Sequence, residues 1–463
     1  MINLGKKSDT ALIPLDISGL DEALGGGVRP GSVILVAGAP GSGKTSFAAR
    51  FIYEGLAKFN QPSVYLSFNE YKEEFYENMA NLGLDFQSYE SKGKFIFIEA
   101  LNINDDEAVM AILENLLTII NTIKAKRVAI DTITSLLQIL GSAKRARELL
   151  HSLFIHYMKK RGITTVLTAE LPIGDPKLGY GIEEFIADGL IILRTKFSGD
   201  KIVRIMEIRK MRGHRATLAR LTYAIVPGKV IAVRTPPRII DIHAPQENLA
   251  FQLETGDANY SFTLPRGAQV LVAINPVLDP LSTLFGIACK TRIKLSIKLL
   301  YRTFTRSPEE IQWVLKELKC KNPTIEFVHL SSINPTLYSV TELAMMNIEE
   351  DLAVKPDIVV IDGIEQAFWL SGGQEIGIRE HYNNIQYRKI HNITGVYVYT
   401  ITLRKLLNAN PLLNIYDAIF YFTPRRVNNK IHVSIRVIKS RYKIPTNHIT
   451  LPIEMFAING GTN

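Results

Sequence analysis

The sequence predicts an α/β fold of two tandem domains, each a mostly parallel, twisted sheet with helices on both faces. Short runs of Val, Ile and Leu alternate with amphipathic stretches through the first half of the 463-residue chain. Such runs are typical of parallel strands buried on both faces. A glycine-rich loop follows the first run, and several landmarks of the first half return in the second. These three observations carry the prediction.

The first half contains six predicted strands, and the stretches between most of them have the apolar spacing of helices. Right-handed crossovers place the carboxyl ends of such strands at one edge of the sheet, where ligands bind. The predicted strands are 33–37, 64–68, 95–99, 127–131, 164–168 and 190–193.

The second half repeats the first at an offset of 229 to 236 residues. A nearly constant offset over four landmarks indicates a tandem duplication. Proline and polar residues gather between 236 and 246, which is typical of a domain junction. We therefore predict domains at 1–242 and 243–463. The matched landmarks are Gly31 and Gly267, Asp131 and Asp362, Asp188 and Asp417, and Lys210 and Lys439.

Residues 38–45 read G-A-P-G-S-G-K-T, which is the phosphate-binding P-loop pattern G-x-x-x-x-G-K-T. A predicted strand precedes the loop and a predicted helix over 46–59 follows it, as the motif requires. Its glycines let backbone amides surround phosphate oxygens. We expect Lys44 to reach the β and γ phosphates of ATP and Thr45 to bind Mg²⁺. The candidate nucleotide-binding residues are Gly38, Gly41, Ser42, Gly43, Lys44, Thr45, Ser46 and Asp131.

Two acidic residues follow predicted strands and complete the candidate site. Asp131 ends an apolar strand, where a carboxylate that holds the Mg²⁺ shell belongs. Hydrolysis also needs a group that deprotonates or orients water, and Glu70 is the candidate base, with Asn69 as a positioner. Alternatively, Glu70 belongs to an acidic helix start, where carboxylates suit the helix dipole.

A series of further motifs accompanies the P-loop, at 13–21, 25–27, 82–85, 168–170, 180–189 and 210–213. On this series, the segment from 12 to about 228 resembles the KaiC branch of the RecA-type ATPases. The resemblance implies a RecA-like core, ATP and Mg²⁺ as cofactors, and commonly a ring of six subunits with ATP between neighbours. It also implies that Lys210 and Arg212 act on the γ phosphate held by the adjacent subunit; the alternative is two surface cations on a strand.

Departures from the family bear on turnover. The family usually has two adjacent glutamates where this chain has Asn69-Glu70, so we expect slow hydrolysis. Clock-type members carry neighbouring Ser and Thr residues before the aspartate that matches Asp188. Glu184-Phe185 and Leu413-Asn414 stand near those places here, which argues against autokinase activity.

The second half lacks a working P-loop. Over 274–281 all three glycines are lost, Pro280 stands where Lys44 stood, and Leu281 replaces Thr45. Bulky side chains would block the amide cradle, and no ammonium group would meet the phosphates. We therefore predict a degenerate RecA-like domain that serves assembly or a partner. Its candidate contacts are Arg306, Lys439 and Arg441, which could instead be relics or merely solvated.

Composition sets limits on class and compartment. The net charge of +9 permits a polyanionic partner but does not require one. The cluster Lys144-Arg145-Ala-Arg147 and the loop 172–180 match the places of DNA-binding loops in recombinases; a solvated helix start is the favoured alternative. Two cysteines, no signal-peptide core and no bilayer-length apolar run predict a cytoplasmic protein without membrane contact.

These features together predict a Mg²⁺-dependent ATP-binding protein, a slow ATPase whose nucleotide state controls assembly or a regulatory partner. The expected assembly is a homo-oligomer, a hexameric ring, with nucleic acid the less favoured partner. Two alternatives stay open: a DNA-stimulated ATPase of the recombinase type, and a nucleotide-gated scaffold with negligible turnover.

Overall fold

The structure is a computed structural model of the whole chain. The chain divides into a first unit, Met1–Phe197 with Ile202–Thr235, and a second unit, Ser198–Lys201 with Pro236–Asn463. The domain limits 1–242 and 243–463 stay a prediction. The structure describes residues 11–452 except 102, 104, 172–185, 199, 214–218, 227, 238–240, 243–246, 256–257, 294–296, 319–324, 371–373, 409–412, 428–429, 443 and 445–448.

The first unit is built on a nine-stranded sheet with the order β3-β2-β4-β5-β1-β6-β7-β8-β9. Strands β1 to β5 pair in parallel, β6 is parallel to β1, and β7 to β9 continue antiparallel. The strands are β1 Val33–Gly38, β2 Ser63–Ser67, β3 Phe95–Glu99, β4 Arg127–Asp131, β5 Thr164–Glu170, β6 Gly189–Ser198, β7 Lys201–Met211, β8 Arg220–Val226 and β9 Val230–Arg234.

Helices cover both faces of this sheet. The longest, α5, begins at the N-cap Asp105, whose carboxylate accepts a hydrogen bond from the Ala108 amide at 2.8 Å. The helices are α1 Leu20–Ala23, α2 Lys44–Phe59, α3 Lys72–Asn81, α4 Gln87–Ser91, α5 Asp106–Ile123, α6 Ile133–Leu140 and α7 Ala143–Leu150, which continues as a π-helix over His151–Met158 and a 3₁₀ turn over Lys159–Arg161.

The second unit has an eight-stranded sheet with the order β15-β14-β16-β17-β12-β18-β19-β20, and a separate three-stranded sheet, β11-β10-β13. The strands are β10 Asn248–Thr255, β11 Ala258–Pro265, β12 Gln269–Ile274, β13 Thr291–Ile293, β14 Ile297–Thr303, β15 Ile325–Ser332, β16 Ile358–Asp362, β17 Thr394–Thr400, β18 Ala418–Val427, β19 Lys430–Ser440 and β20 Ile449–Pro452.

Capping residues start several helices of the second unit. Ser307 and Ser339 each form a capping box with the glutamate three residues further on. None of the helices among the described residues of either unit is long and apolar enough to cross a bilayer. The helices are α8 Pro280–Lys290, α9 Pro308–Glu317, α10 Val340–Val354, α11 Ile364–Leu370, α12 Gln374–Ile390 and α13 Leu403–Asn408, with a 3₁₀ turn over Pro335–Leu337.

The two large sheets have the same strand order. Taken in order from β15 at one edge to β20 at the other, the eight strands of the second sheet match β3 to β8 and the strands between them in the first. Within the described residues, β9 has no counterpart in the second sheet. Register agrees as well: Ser63 pairs with Arg127 in the first unit, and Leu299 pairs with Ile358 in the second. The predicted fold class, two tandem RecA-like α/β domains, is confirmed.

The side chains of the fully buried central strands point alternately to two apolar layers. In β1, Val33, Leu35 and Ala37 face one apolar layer, while Ile34 and Val36 face the other. Because successive side chains of a strand point to opposite faces, a fully buried strand must be apolar throughout. Strand β12 alternates in the same way between two apolar layers of the second unit. Because the central strands of each sheet are parallel, their carboxyl ends lie at the same edge of that sheet.

Candidate functional site

The P-loop connects the carboxyl end of β1 to the first turn of α2, as the sequence predicts. Gly41 and Gly43 have φ values of 74° and 91°, which side-chain-bearing residues rarely adopt. A Cβ on Gly38 would lie 2.4 Å from the Ser42 Oγ and 2.7 Å from the Leu193 carbonyl oxygen. The loop geometry therefore depends on all three glycines.

The Ser42 side chain points into the protein rather than toward the cradle. Ser42 has no exposed surface, and its Oγ lies against the Cβ position of Gly38. The Ser42 carbonyl is held from behind by the Tyr223 hydroxyl, which donates to it at 2.6 Å. With the loop held in this way, backbone amides are the groups that it offers to phosphate oxygens. The loop therefore fits a polyphosphate.

Lys44 lies at the start of α2 and donates from Nζ to the Ala39 carbonyl oxygen at 3.2 Å. Burial lowers the pKa of Lys44, and the nearby charges of Asp131 and Glu170 oppose that shift. The Lys44 ammonium group therefore lies beside one carbonyl of the phosphate-binding loop and near two carboxylates. From this position it can neutralise an added phosphate charge.

Asp131 ends β4 and collects three hydroxyl donors. Thr45 donates from Oγ1 to its Oδ2 at 2.8 Å, and the Tyr65 hydroxyl donates to the same oxygen at 2.7 Å. Thr168 donates to Oδ1. The structure thus brings together Thr45 and Asp131, the two residues predicted to hold Mg²⁺. A hydroxyl beside a carboxylate is an oxygen donor set that suits this ion.

Glu70 lies just beyond the end of β2. The Ser67 Oγ accepts hydrogen bonds from the backbone amides of Asn69 and Glu70, at 3.3 and 3.0 Å. Burial, together with the charges of Asp131 and Glu74, raises the pKa of Glu70 to about 7. A carboxylate with a pKa near neutrality is suited to accept a proton at physiological pH.

Asn69 is held by a residue of α6. Its side-chain oxygen accepts a hydrogen bond from the Ser135 hydroxyl at 3.3 Å. Thr132 caps the same helix by accepting from the Thr134 amide. Ser135 lies in its first turn. The candidate base and its neighbour are thus fixed from both β2 and α6.

The sequence did not reveal every residue of this site. Tyr65 and Thr168 hold Asp131, and Glu170 at the end of β5 acts on the pKa of Lys44. The feature that could have identified these residues is their position, because each lies on a strand next to the one that ends in Asp131. Tyr65 lies two residues before the end of its strand. It is therefore not one of the residues at a strand end that the sequence identifies as candidates.

Lys210 and Arg212 are not brought to the P-loop of their own chain. Arg212 donates from its amide to the Asp188 carbonyl at 2.8 Å, and its guanidinium lies 3.5 Å from the Asp188 carboxylate. Asp188 in turn accepts from the Val33 amide at the amino end of β1. The six residues of β1 span about 17 Å at roughly 3.3 Å per residue. Arg212 and the P-loop therefore lie at opposite ends of β1.

Comparison with known proteins identifies the family that the first unit resembles. A sequence-family model described as "ATPase: KaiC" matches residues 13–238, just under half of the chain. Over these residues the first unit is similar to the KaiC-like, RecA-type P-loop ATPases, as the motifs predict. The matched segment includes the P-loop and Asp131.

Several curated relatives carry the name "Circadian clock oscillator protein KaiC". The protein of Thermosynechococcus vestitus is 34% identical over 208 residues, which cover 43% of this chain and 40% of the relative. That of Acaryochloris marina is 33% identical over 214 residues, covering 45% and 41%, and that of Synechococcus elongatus 33% over 204 residues, covering 42% and 39%. The matched segment thus spans about two fifths of the length of these relatives.

The second unit has the same strand order as the first, but its own charged side chains occupy the position that corresponds to the P-loop. Asp279 stands at the place of Gly43 and caps α8, accepting from the Ser282 amide at 2.9 Å and its hydroxyl at 2.6 Å. Arg306, at the place of Glu70, forms an ion pair with Asp279. A carboxylate therefore occupies the helix N-terminus where a P-loop would bind phosphate.

Other contacts of the first unit recur in the second unit, which lacks a P-loop. Asp362 still accepts from Tyr301 at 2.9 Å, and burial raises its pKa. Asp417 accepts from Lys389 at 2.9 Å, Arg441 at 3.0 Å and the Gln269 amide at 2.9 Å. In the first unit Lys159, Arg212 and the Val33 amide surround Asp188 in the same way.

The cations predicted as partner contacts of the second unit all have contacts within their own unit. Arg306 pairs with Asp279, Arg441 with Asp417, and Lys439 donates to the Leu413 carbonyl at 2.8 Å. In the first unit, Arg145 of the basic cluster pairs with Asp106. The loop 172–180, Glu184 and Phe185 lie outside the described residues.

Proposed function

We propose that the first unit binds Mg·ATP and hydrolyses it slowly, and that its nucleotide state controls assembly of a homo-oligomer or the binding of a regulatory partner. One observation carries the proposal. Beside a loop that only glycines can form, Thr45 donates to Asp131 at 2.8 Å, so a hydroxyl and a carboxylate adjoin the phosphate cradle. This pairing is what Mg-nucleotide binding requires.

Each residue has a distinct task in this proposal. The backbone amides of the loop 38–45 bind phosphate oxygens, and Lys44 neutralises the β and γ charges. Thr45 and Asp131 would hold Mg²⁺, which when bound offsets charge on the transferred phosphate. Glu70 accepts the proton of the attacking water, and Asn69 orients that water.

Lys210 and Arg212 would complete the site of a neighbouring subunit. They lie at the opposite end of β1 from their own P-loop, so a role in hydrolysis requires a second chain. A planar guanidinium that reaches the γ phosphate would stabilise its developing charge. We therefore propose a ring, a hexamer as in the resemblance, with ATP between adjacent subunits.

Equilibrium binding and phosphate release test the proposal on the full chain. With Mg²⁺ present, we expect saturable ATP binding and slow release of phosphate, both lost in Lys44→Ala. Native mass measured with and without Mg·ATP should rise with nucleotide. Binding without any phosphate release over a long incubation would identify a nucleotide-gated scaffold. A rate that increases with added single-stranded DNA would instead favour a recombinase-type ATPase.

A further inference from the structure

The second unit contains an apolar cavity that the nucleotide chemistry does not use. Its volume is about 210 Å³. The wall combines Phe262 of the three-stranded sheet, Ile287 and Ala288 of α8, and Ile358 and Val360 of β16. The cavity therefore lies where the three-stranded sheet and α8 meet the central strands.

A shortened helix is one origin of this space. In the first unit α2 runs for 16 residues over the sheet, whereas its counterpart α8 has 11. The chain then turns directly into β13, which pairs with β10 instead of continuing the helix. The last turns of α2 therefore have no helical counterpart in the second unit. The three-stranded sheet β11-β10-β13 lies there instead and contributes Phe262 to the cavity wall.

Shorter side chains are the second origin. Arg127 is buried in the first unit, where its guanidinium lies 4.7 Å from the centre of the Phe51 ring and donates to the Phe51 carbonyl at 2.8 Å. By strand register Ile358 holds the place of Arg127, and by position along the helix Ile287 holds that of Phe51. Groups that fill this space in the first unit are therefore replaced by smaller apolar ones.

The chemistry of the wall selects the ligand. Three lining side chains carry hydroxyls, and each already has a partner within the unit. Thr291 donates to the Ile287 carbonyl at 2.8 Å, and Tyr301 donates to Asp362 at 2.9 Å. Thr394 accepts from the Gly267 amide at 3.2 Å. Among the described lining residues, a bound molecule would thus meet apolar surface and no side-chain hydroxyl that lacks a partner.

We propose that this cavity binds a small uncharged hydrocarbon-like molecule by burial alone. An apolar cavity of roughly 150 Å³ takes benzene, so the larger volume here suits an alkylbenzene or a short alkyl chain of about ten carbon atoms. The site belongs to the second unit and is independent of ATP binding by the first. It gives the unit that lost its P-loop a ligand of a different class.

Binding of n-butylbenzene to the full chain tests the proposal, measured by equilibrium partition from the vapour phase. We expect saturable binding of one molecule per chain, and at least tenfold weaker binding of the charged analogue 4-butylbenzoate. The double variant Ile287→Phe/Ala288→Ile restores the side chains of the first unit and should weaken n-butylbenzene binding at least tenfold. Leu407→Phe adds a ring at an exposed position of α13 and should bind as the unaltered chain does.

No saturable binding up to the solubility limit would overturn the proposal, as would equal binding by the filled and control variants. A second arm uses only the unaltered chain, so it does not depend on a variant that folds. The apolar photoreactive probe 3-phenyl-3-(trifluoromethyl)diazirine should label peptides that contain 281–293 or 258–264, in competition with n-butylbenzene. Labelling confined to other peptides would contradict the assignment.

Discussion

Asp279 and Arg306 form an ion pair in the second unit at the positions that Gly43 and Glu70 occupy in the first. The first unit has a cation on its loop and an acid after its second strand, whereas the second unit has the reverse. Because Asp279 also caps α8, a carboxylate already satisfies the helix N-terminus. The two units thus share a sheet but differ in what their helix termini can bind.

Loss of the Asp279 cap should destabilise the second unit without affecting ATP binding. Asp279→Ala removes the hydrogen bonds to Ser282 and leaves Arg306 without its carboxylate, so we expect a loss of about 1 kcal/mol of unfolding free energy. Both tryptophans of the chain, Trp313 and Trp369, belong to the second unit. Their fluorescence during denaturation therefore reports this unit.

A matched control removes a cap from the first unit. Asp105→Ala deletes the N-cap of α5 and should leave the tryptophan transition unchanged. An unaltered transition in Asp279→Ala would show that the carboxylate contributes nothing to the second unit.

Glu70→Gln should lower turnover by roughly 10²-fold while ATP affinity is retained, since the variant keeps the shape but cannot accept a proton. Steady-state phosphate release and equilibrium ATP binding separate the two effects. Asn69→Ala provides the comparison, because it removes the neighbouring side chain. A larger loss of turnover in Asn69→Ala would mean that Glu70 is not the base.

The pH profile provides a separate test of the same residue. Burial, with the charges of Asp131 and Glu74, raises the pKa of Glu70 to about 7, above its usual value. The base acts when deprotonated, so kcat/KM should rise as pH increases through about 7 and level off above it. The rise should be absent in Glu70→Gln. A falling profile over this range would contradict the assignment.

Arg212→Ala should lower turnover by roughly 10³-fold, as expected for an arginine that acts in phosphoryl transfer, with a much smaller change in ATP affinity. Arg441→Ala is the matched control, because Arg441 makes the same contact with Asp417 that Arg212 makes with Asp188. If both variants reduced turnover alike, Arg212 would have a structural role only.

Mixed assemblies test whether Arg212 acts on a neighbour. Subunits with Lys44→Ala are expected not to bind ATP, and subunits with Arg212→Ala lack the guanidinium that would reach the γ phosphate of the neighbour. When the two are mixed under conditions of subunit exchange, some interfaces combine an intact P-loop with an intact Arg212. Partial recovery of phosphate release is expected, and no recovery would place the action of Arg212 within its own chain.

Sequence patterns predicted those parts of the molecule that local chemistry determines. The P-loop, Asp131 and the strands around them follow from glycine spacing and apolar runs, and the repeat predicted a second domain with the same fold. Contacts between distant residues could not be predicted in this way. The Tyr65 and Thr168 hydrogen bonds to Asp131, and the pairing of Arg306 with Asp279, depend on register across the sheet.

The cavity of the second unit was also beyond sequence analysis. Ile287 and Ala288 fit an ordinary amphipathic helix, and nothing in their pattern indicates that α8 ends at Lys290. The end follows from pairing of β13 with β10, a tertiary contact between segments about 40 residues apart along the chain. Tertiary pairing can thus override the local helical pattern.

The stoichiometry of ATP binding tests the central claim most directly. Equilibrium dialysis of the full chain with Mg·ATP should give one nucleotide per chain, retained in Asp279→Ala and lost in Lys44→Ala. Two equivalent nucleotides per chain, or binding that survives Lys44→Ala, would contradict the account of one live and one closed site.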